Sequence, residues 1–127
     1  MNPMVETDNI KLELLPSGIL LATYKKQTVI TLEIGQHIVK TRLAFTGLEP
    51  LRPVLMYNAG IVEVEYSARK YLSSGEAISG LSAAAVLVDK ATSAIVMNFI
   101  MAIERPKIPV KLFSSEKKAF RWLETFL

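Results

Sequence analysis

At 127 residues the chain is one domain by size, long enough to bury a core without metals or disulfides. Half of its residues are hydrophobic and 21% are charged, which excludes disorder, and the absence of cysteine removes disulfides, thiolate metal sites and cysteine nucleophiles together. The net charge of +3 is uneven, with eight Lys/Arg against nine Asp/Glu over residues 1–89 and seven against three over residues 90–127.

The basic excess rests on Arg105, Lys107, Lys111, Lys117, Lys118 and Arg121. It is sparse and lacks interleaved aromatics, so it reads as a solvated face and no nucleic-acid partner is expected. The N-terminus has no basic start followed by an apolar block, and no apolar run approaches the roughly 20 residues that span a bilayer. A cytoplasmic protein without stable membrane insertion is the expectation.

Residues 1–9 read as a flexible tail, followed by one domain over 10–127. Ile10–Leu15 alternates apolar and polar residues and Ile19–Tyr24 is more apolar, so with Pro16-Ser17-Gly18 between them they form an antiparallel hairpin. Thr31 is placed to cap a helix from about Leu32 to Phe45 with Ile34, Ile38 and Leu43 inward, and Gly47 and Pro50 end it. Val54–Tyr57 is a third strand. Asn58-Ala59-Gly60 turns the chain, residues 61–65 carry it onward, and a helix runs from about Tyr66 to Ile78.

The unbroken apolar run Ala83–Val88, closed by Asp89, reads as a strand buried on both faces, with Leu87 and Val88 in the core. Thr92 or Ser93 then caps a helix over 94–103 whose only polar interior residue is Asn98. Such a helix needs a cover on both sides. Met97, Ile100 and Met101 fall on one stripe and Ile95, Phe99 and Ala102 on another. The outward stripe is expected to be an interface, in the simplest case a homodimer; the alternative is that the C-terminal helix folds over it through Phe120 and Trp122. The prolines make the segment from Arg105 to Pro109 a stiff extended connector. Val110–Phe113 is the last strand, and Ser114 or Ser115 caps a helix to Leu127 with Ala119, Phe120, Leu123 and either Phe126 or Leu127 on one face.

These elements predict an α/β domain: a single five-stranded, mostly parallel sheet with an antiparallel N-terminal edge strand and four helices. Their succession, with RPVLMYNAG running into VEVEYSARKYL, then AAAVLVD, MNFIMAIERPKIPVKLF and a terminal AFRWLETFL, resembles the SpoIIAA-like (STAS-like) domains of bacteria, and in particular small standalone members of that fold with no assigned function. The resemblance covers roughly residues 10–127. It implies a non-enzymatic domain that works by docking to partners, as the anti-sigma-factor antagonists do. In those relatives a serine at the start of the helix after the third strand is phosphorylated to break partner binding. The corresponding position here falls near Glu65, where this chain carries an acid, so phosphorylation at that spot is not expected.

Glu63, Glu65, Ser67 and Asp89 are the candidates for a partner or regulatory loop. The bland readings are a first-turn serine for Ser67, acids placed by the helix dipole for Glu63 and Glu65, and a helix-initiating acid for Asp89. His37 has Glu33 four residues before it, a spacing that usually gives a surface contact. No catalytic set, metal site or cofactor motif is present in the pattern, and an enzyme is not expected. A binder of an apolar small molecule or lipid, akin to the lipid-carrying Sec14-like relatives of the fold, is the alternative to a protein-interaction module.

Overall fold

The computed structural model describes residues 1–103 and 106–127. Strand β1 (Met4–Glu6) pairs antiparallel with β2 (Ile10–Leu14), which pairs antiparallel with β3 (Leu20–Tyr24). Part of the expected tail is therefore a sheet edge. Val5 lies in register with Leu12 and packs against the core, while Glu6 forms an ion pair with Lys25 and Asn2 Nδ2 donates to Glu13 at 2.9 Å. A short apolar anchor and two polar ties outweigh the freedom of so brief a segment.

The chain turns through Gln27, which takes a left-handed φ of 60°, into β4 (Thr28–Ile30) and then α1 (Leu32–Thr46). Thr31 caps α1 as expected, its hydroxyl accepting from the Ile34 N–H at 3.2 Å. After β5 (Arg52–Tyr57), strand β6 (Ile61–Val64) returns to pair in parallel with β4. This two-stranded sheet was not expected. Runs of three and four residues are too short for alternation to announce them.

The single helix expected over 66–78 is two, α2 (Tyr66–Leu72) and α3 (Gly75–Ile78). Ser73 bonds back to the Arg69 carbonyl at 3.0 Å, and the Ser74 hydroxyl accepts from the Ala77 N–H at 3.4 Å, so adjacent serines close one helix and open the next. Then come β7 (Leu81–Leu87), α4 (Ala94–Met101), β8 (Val110–Phe113) and α5 (Glu116–Glu124). Ser93 and Ser115 cap α4 and α5 by accepting from Val96 N–H at 3.2 Å and Lys118 N–H at 3.3 Å. The connector expected to be stiff begins at Arg105, and residues 104–105 lie outside the described residues.

The main sheet has six strands in the order β1-β2-β3-β5-β7-β8, parallel from β3 onward. Because β3, β5, β7 and β8 advance in one direction, crossovers of one hand set their helices on one face. On that face Ile10, Leu12, Leu20, Ala22, Tyr24, Val54 and Ala84 meet Ile38 of α1, Ala68 of α2 and Val96 of α4, with Ile30, Ile61 and Val64 of the small sheet among them. The opposite face, with Ile19, Leu55, Ala83 and Ala85, is covered by α5 through Ala119 and Leu123. That placement rules out α5 as the cover of α4. Trp122 instead stacks on Phe113 and Phe126, with ring centroids 5.6 and 4.9 Å apart. The centre of β7 is its buried part, Ala83 to Val86, whereas Leu87 and Val88, expected in the core, are half-buried at its end.

Candidate functional site

Between the main sheet and the helices lies a cavity of about 150 Å³. Its origin is in the sequence: Ala22 of β3, Ala84 of β7 and Ala77 of α3 all reach it, and three small side chains leave space that Ile10, Leu12, Ile38 and Val96 do not fill. Half-buried residues of its wall include Leu72, Ile78, Phe99, Ile100, Ile103 and Ile108. A cavity of this size accepts a benzene-sized guest.

Three polar residues interrupt the apolar wall: Tyr24, Arg42 and Asn58. Arg42 is 6% exposed. Its Nη1 donates to the Ser79 carbonyl at 2.8 Å and its Nη2 to the Ala77 carbonyl at 2.9 Å, which ties α1 to the end of α3. Burial pulls the Arg42 pKa below its ordinary value, opposed by Tyr24 and Tyr71, but a guanidinium stays charged in a protein. Asn58 is 2% exposed and its Nδ2 donates to the Met56 carbonyl at 3.4 Å.

Burial pushes the Tyr24 phenol up to about 12, with Arg42 pulling the other way. An unfolded tyrosine ionises near 10, so the folded state holds the proton longer. Stability from this group is complete below about pH 10 and is lost as the pH rises toward 12. In urea titrations at pH 9 and pH 11.5, Tyr24→Phe should lose about 2 kcal/mol less than the wild type between the two pH values. Equal losses would show that Tyr24 ionises as it does in water.

A second feature lies where β6 meets α2. Glu65 occupies the N-cap position of α2 with no side-chain cap bond; its N–H donates to the Ile30 carbonyl at 2.9 Å, and Arg69 Nε donates to the Val64 carbonyl at 2.9 Å. The backbone is held and the carboxylate is free to face water. Glu63, Glu65 and Ser67 are all exposed. So are two large apolar residues beside them, Val62 at 46% and Tyr66 at 79%.

Residues 13–127 match the sequence profile of a family described as a domain of unknown function (DUF7793). The chain belongs to that family. No curated protein matches the sequence. The DUF7793 domain is similar in structure to an uncharacterized protein of the DUF3478 family with a SpoIIAA-like fold from Shewanella loihica PV-4, with a TM-score of 0.57 and 13% identity over 97% of this chain and 92% of that one. At that identity the likeness establishes the architecture, so the SpoIIAA-like fold expected from the sequence is the observed one.

In the DUF7793 domain Asp89 lies beyond β7, is exposed and closes a turn: its Oδ1 accepts from the Ala91 N–H at 2.9 Å and from the Thr92 hydroxyl at 3.1 Å. It initiates the loop before α4, and Ser93 caps the helix. Of the expected interface stripe on α4, Ile100 packs against the core, Met97 is half-buried and Met101 is 70% exposed. The outward side is instead marked by Ile95, 40% exposed, together with Met101. His37 and Glu33 are both exposed, and among the described residues no side-chain hydrogen bond joins them. Among the described residues no helix is long and apolar enough to cross a membrane.

Sequence reading missed the cavity and Arg42. A signal existed: Arg42 stands four residues after Ile38 and seven after Gly35, on the stripe that the helix buries.

Proposed function

We propose that this domain performs no reaction of its own and works as a regulatory or interaction module, docking to another protein chain through β6, the first turn of α2 and the outer side of α4. The observation that supports this reading is Tyr66, a large aromatic left in water at a helix start beside exposed Val62. Tyrosine is enriched in interfaces because it buries much area at little cost in rotamer freedom. α4 packs alongside β6 and adds Ile95 and Met101. Glu63 and Glu65 supply a polar rim that favours a basic partner surface. The SpoIIAA-like fold agrees with this, since in the anti-sigma-factor antagonists that share it a serine at the start of the matching helix is phosphorylated to break partner binding. A fixed carboxylate at Glu65 leaves the contact unswitched by phosphate at that position, because a carboxylate carries part of a phosphate's charge at all times.

A second copy of the chain is the first partner to examine. Light scattering at micromolar concentration should give twice the 14.1 kDa monomer mass, and Tyr66→Glu and Met101→Glu should each return the monomer with the melting temperature unchanged. A monomeric wild type sinks the homodimer. Recovery of the same proteins by wild type and Tyr66→Glu in an affinity capture sinks the docking surface itself.

A second reading, a binder of a small apolar molecule, is favoured by the cavity behind the sheet. The two readings concern different parts of the molecule, one on its surface and one inside it.

A further inference from the structure

The cavity is apolar almost throughout, yet it is lined by a buried cation. A guanidinium carries five N–H donors in a rigid fork. Two of the donors of Arg42 are taken by the carbonyls of Ser79 and Ala77, and among the described residues the one ion pair is Lys25 with Glu6, so no described carboxylate neutralises Arg42. Removing a charge from water without an opposite charge is expensive. The two carbonyls offset part of that cost and also hold the fork of this cavity-lining residue in one orientation.

We propose that the cavity is a binding site for a small carboxylic acid with an apolar tail, the carboxylate meeting the Arg42 guanidinium and the tail filling the space beside Ala22, Ala77 and Ala84. This rests on the second reading given above and adds the charge of the guest. Three observations select the ligand class. The volume of about 150 Å³ suits a short acyl chain or a single ring and leaves no room for a two-chain lipid. The wall of leucine, isoleucine, valine and phenylalanine offers an aliphatic or aromatic body nothing but contact. The fork of Arg42 matches a carboxylate better than any neutral head, because charge-assisted bonds to a planar guanidinium are about twice as strong as neutral ones. Tyr24 keeps its proton through the physiological range and is a second donor on the cavity wall.

Hexanoate and its neutral counterpart hexan-1-ol are suitable probes, followed by calorimetry and by the methyl resonances of Ile10, Ile38 and Val96. Both should shift those cavity methyls, with hexanoate binding at least tenfold more tightly at pH 7. Arg42→Met should abolish the preference for the acid and leave hexan-1-ol binding in place. Because that variant also loses the ties to Ala77 and Ser79, Arg42→Lys serves beside it; it keeps the charge and loses the fork, and should retain part of the preference. If the two probes bind the wild type equally well, the role of Arg42 is overturned while the cavity reading stands. If neither probe moves the cavity methyls, both the acid and the cavity reading fall.

Discussion

Gly60→Ala should destabilise the domain by about 3 kcal/mol or more, the upper part of the range for overpacking. A Cβ at this position would lie 2.2 Å from the carbonyl oxygen of Lys25 and 2.4 Å from that of Tyr24. Both are backbone atoms, so relief requires moving either the end of β3 or the turn that carries Gly60. Neither is free to move. The Gly60 carbonyl accepts from the Thr28 N–H at 2.9 Å, and the Ile61 N–H donates to the Asn58 carbonyl at 3.0 Å, so the same turn sets the pairing of β6 with β4. The alanine also loses less chain entropy on folding, which favours the variant by about 0.4–1 kcal/mol, too little to reverse the sign. Urea denaturation followed by circular dichroism gives the answer, and a midpoint equal to wild type would mean that the turn has room. Gly35→Ala is the informative contrast. There a Cβ would meet Ile30, Leu72 and Tyr71 at 3.7–3.8 Å, ordinary contact inside a helix, so the substitution should raise stability by up to about 1 kcal/mol.

The main sheet was legible because its signals are long. The hairpin of β2 and β3, the apolar run of β7 and the capped amphipathic α5 each extend over enough residues for periodicity and caps to agree. What could not be read has a common physical cause: it depends on partners distant in sequence. β4 and β6 are strands only because each finds the other across some thirty residues of chain, and β1 is a strand only because β2 offers it an open edge. The helix over 94–103 was recognised, but which side faces inward was decided by β6. Val96 and Phe99 point to the core together with Ile100, which left Ile95 and Met101 outside. Of the candidate residues, Glu63, Glu65 and Ser67 share one exposed junction, whereas Asp89 belongs to a different loop and bonds only within its own turn among the described residues. The cavity was invisible for a further reason, since such space is a property of how surfaces from many elements fail to meet, and no single segment records it.

Leu55→Ala should remove about 2–5 kcal/mol, the usual cost of truncating a fully buried leucine, against a total of about 5–15 kcal/mol for a domain. Leu55 is 0% exposed at the middle of β5, in register with Leu21 of β3 and Ala85 of β7. On this face the buried residues of β7 are Ala83 and Ala85, with half-buried Leu87 at its end, and Ala119 of α5 belongs to the same cluster. Small residues on both sides let α5 approach the sheet closely, and Leu55 is one of the three large, fully buried side chains of that contact, with Ile19 and Leu123. Its loss leaves a void that alanines cannot reach across, since they have no rotamers with which to fill it. The expected cost therefore lies in the upper half of the range, and at about 4 °C per kcal/mol for a chain of this size the melting temperature should fall by about 12 °C or more. Leu87→Ala, at the half-buried end of β7, should cost clearly less. Equal shifts for the two variants would show that α5 does not seat on the centre of the sheet, while an unchanged urea slope in both would confirm that the loss is in packing and leaves the unfolded ensemble as it was.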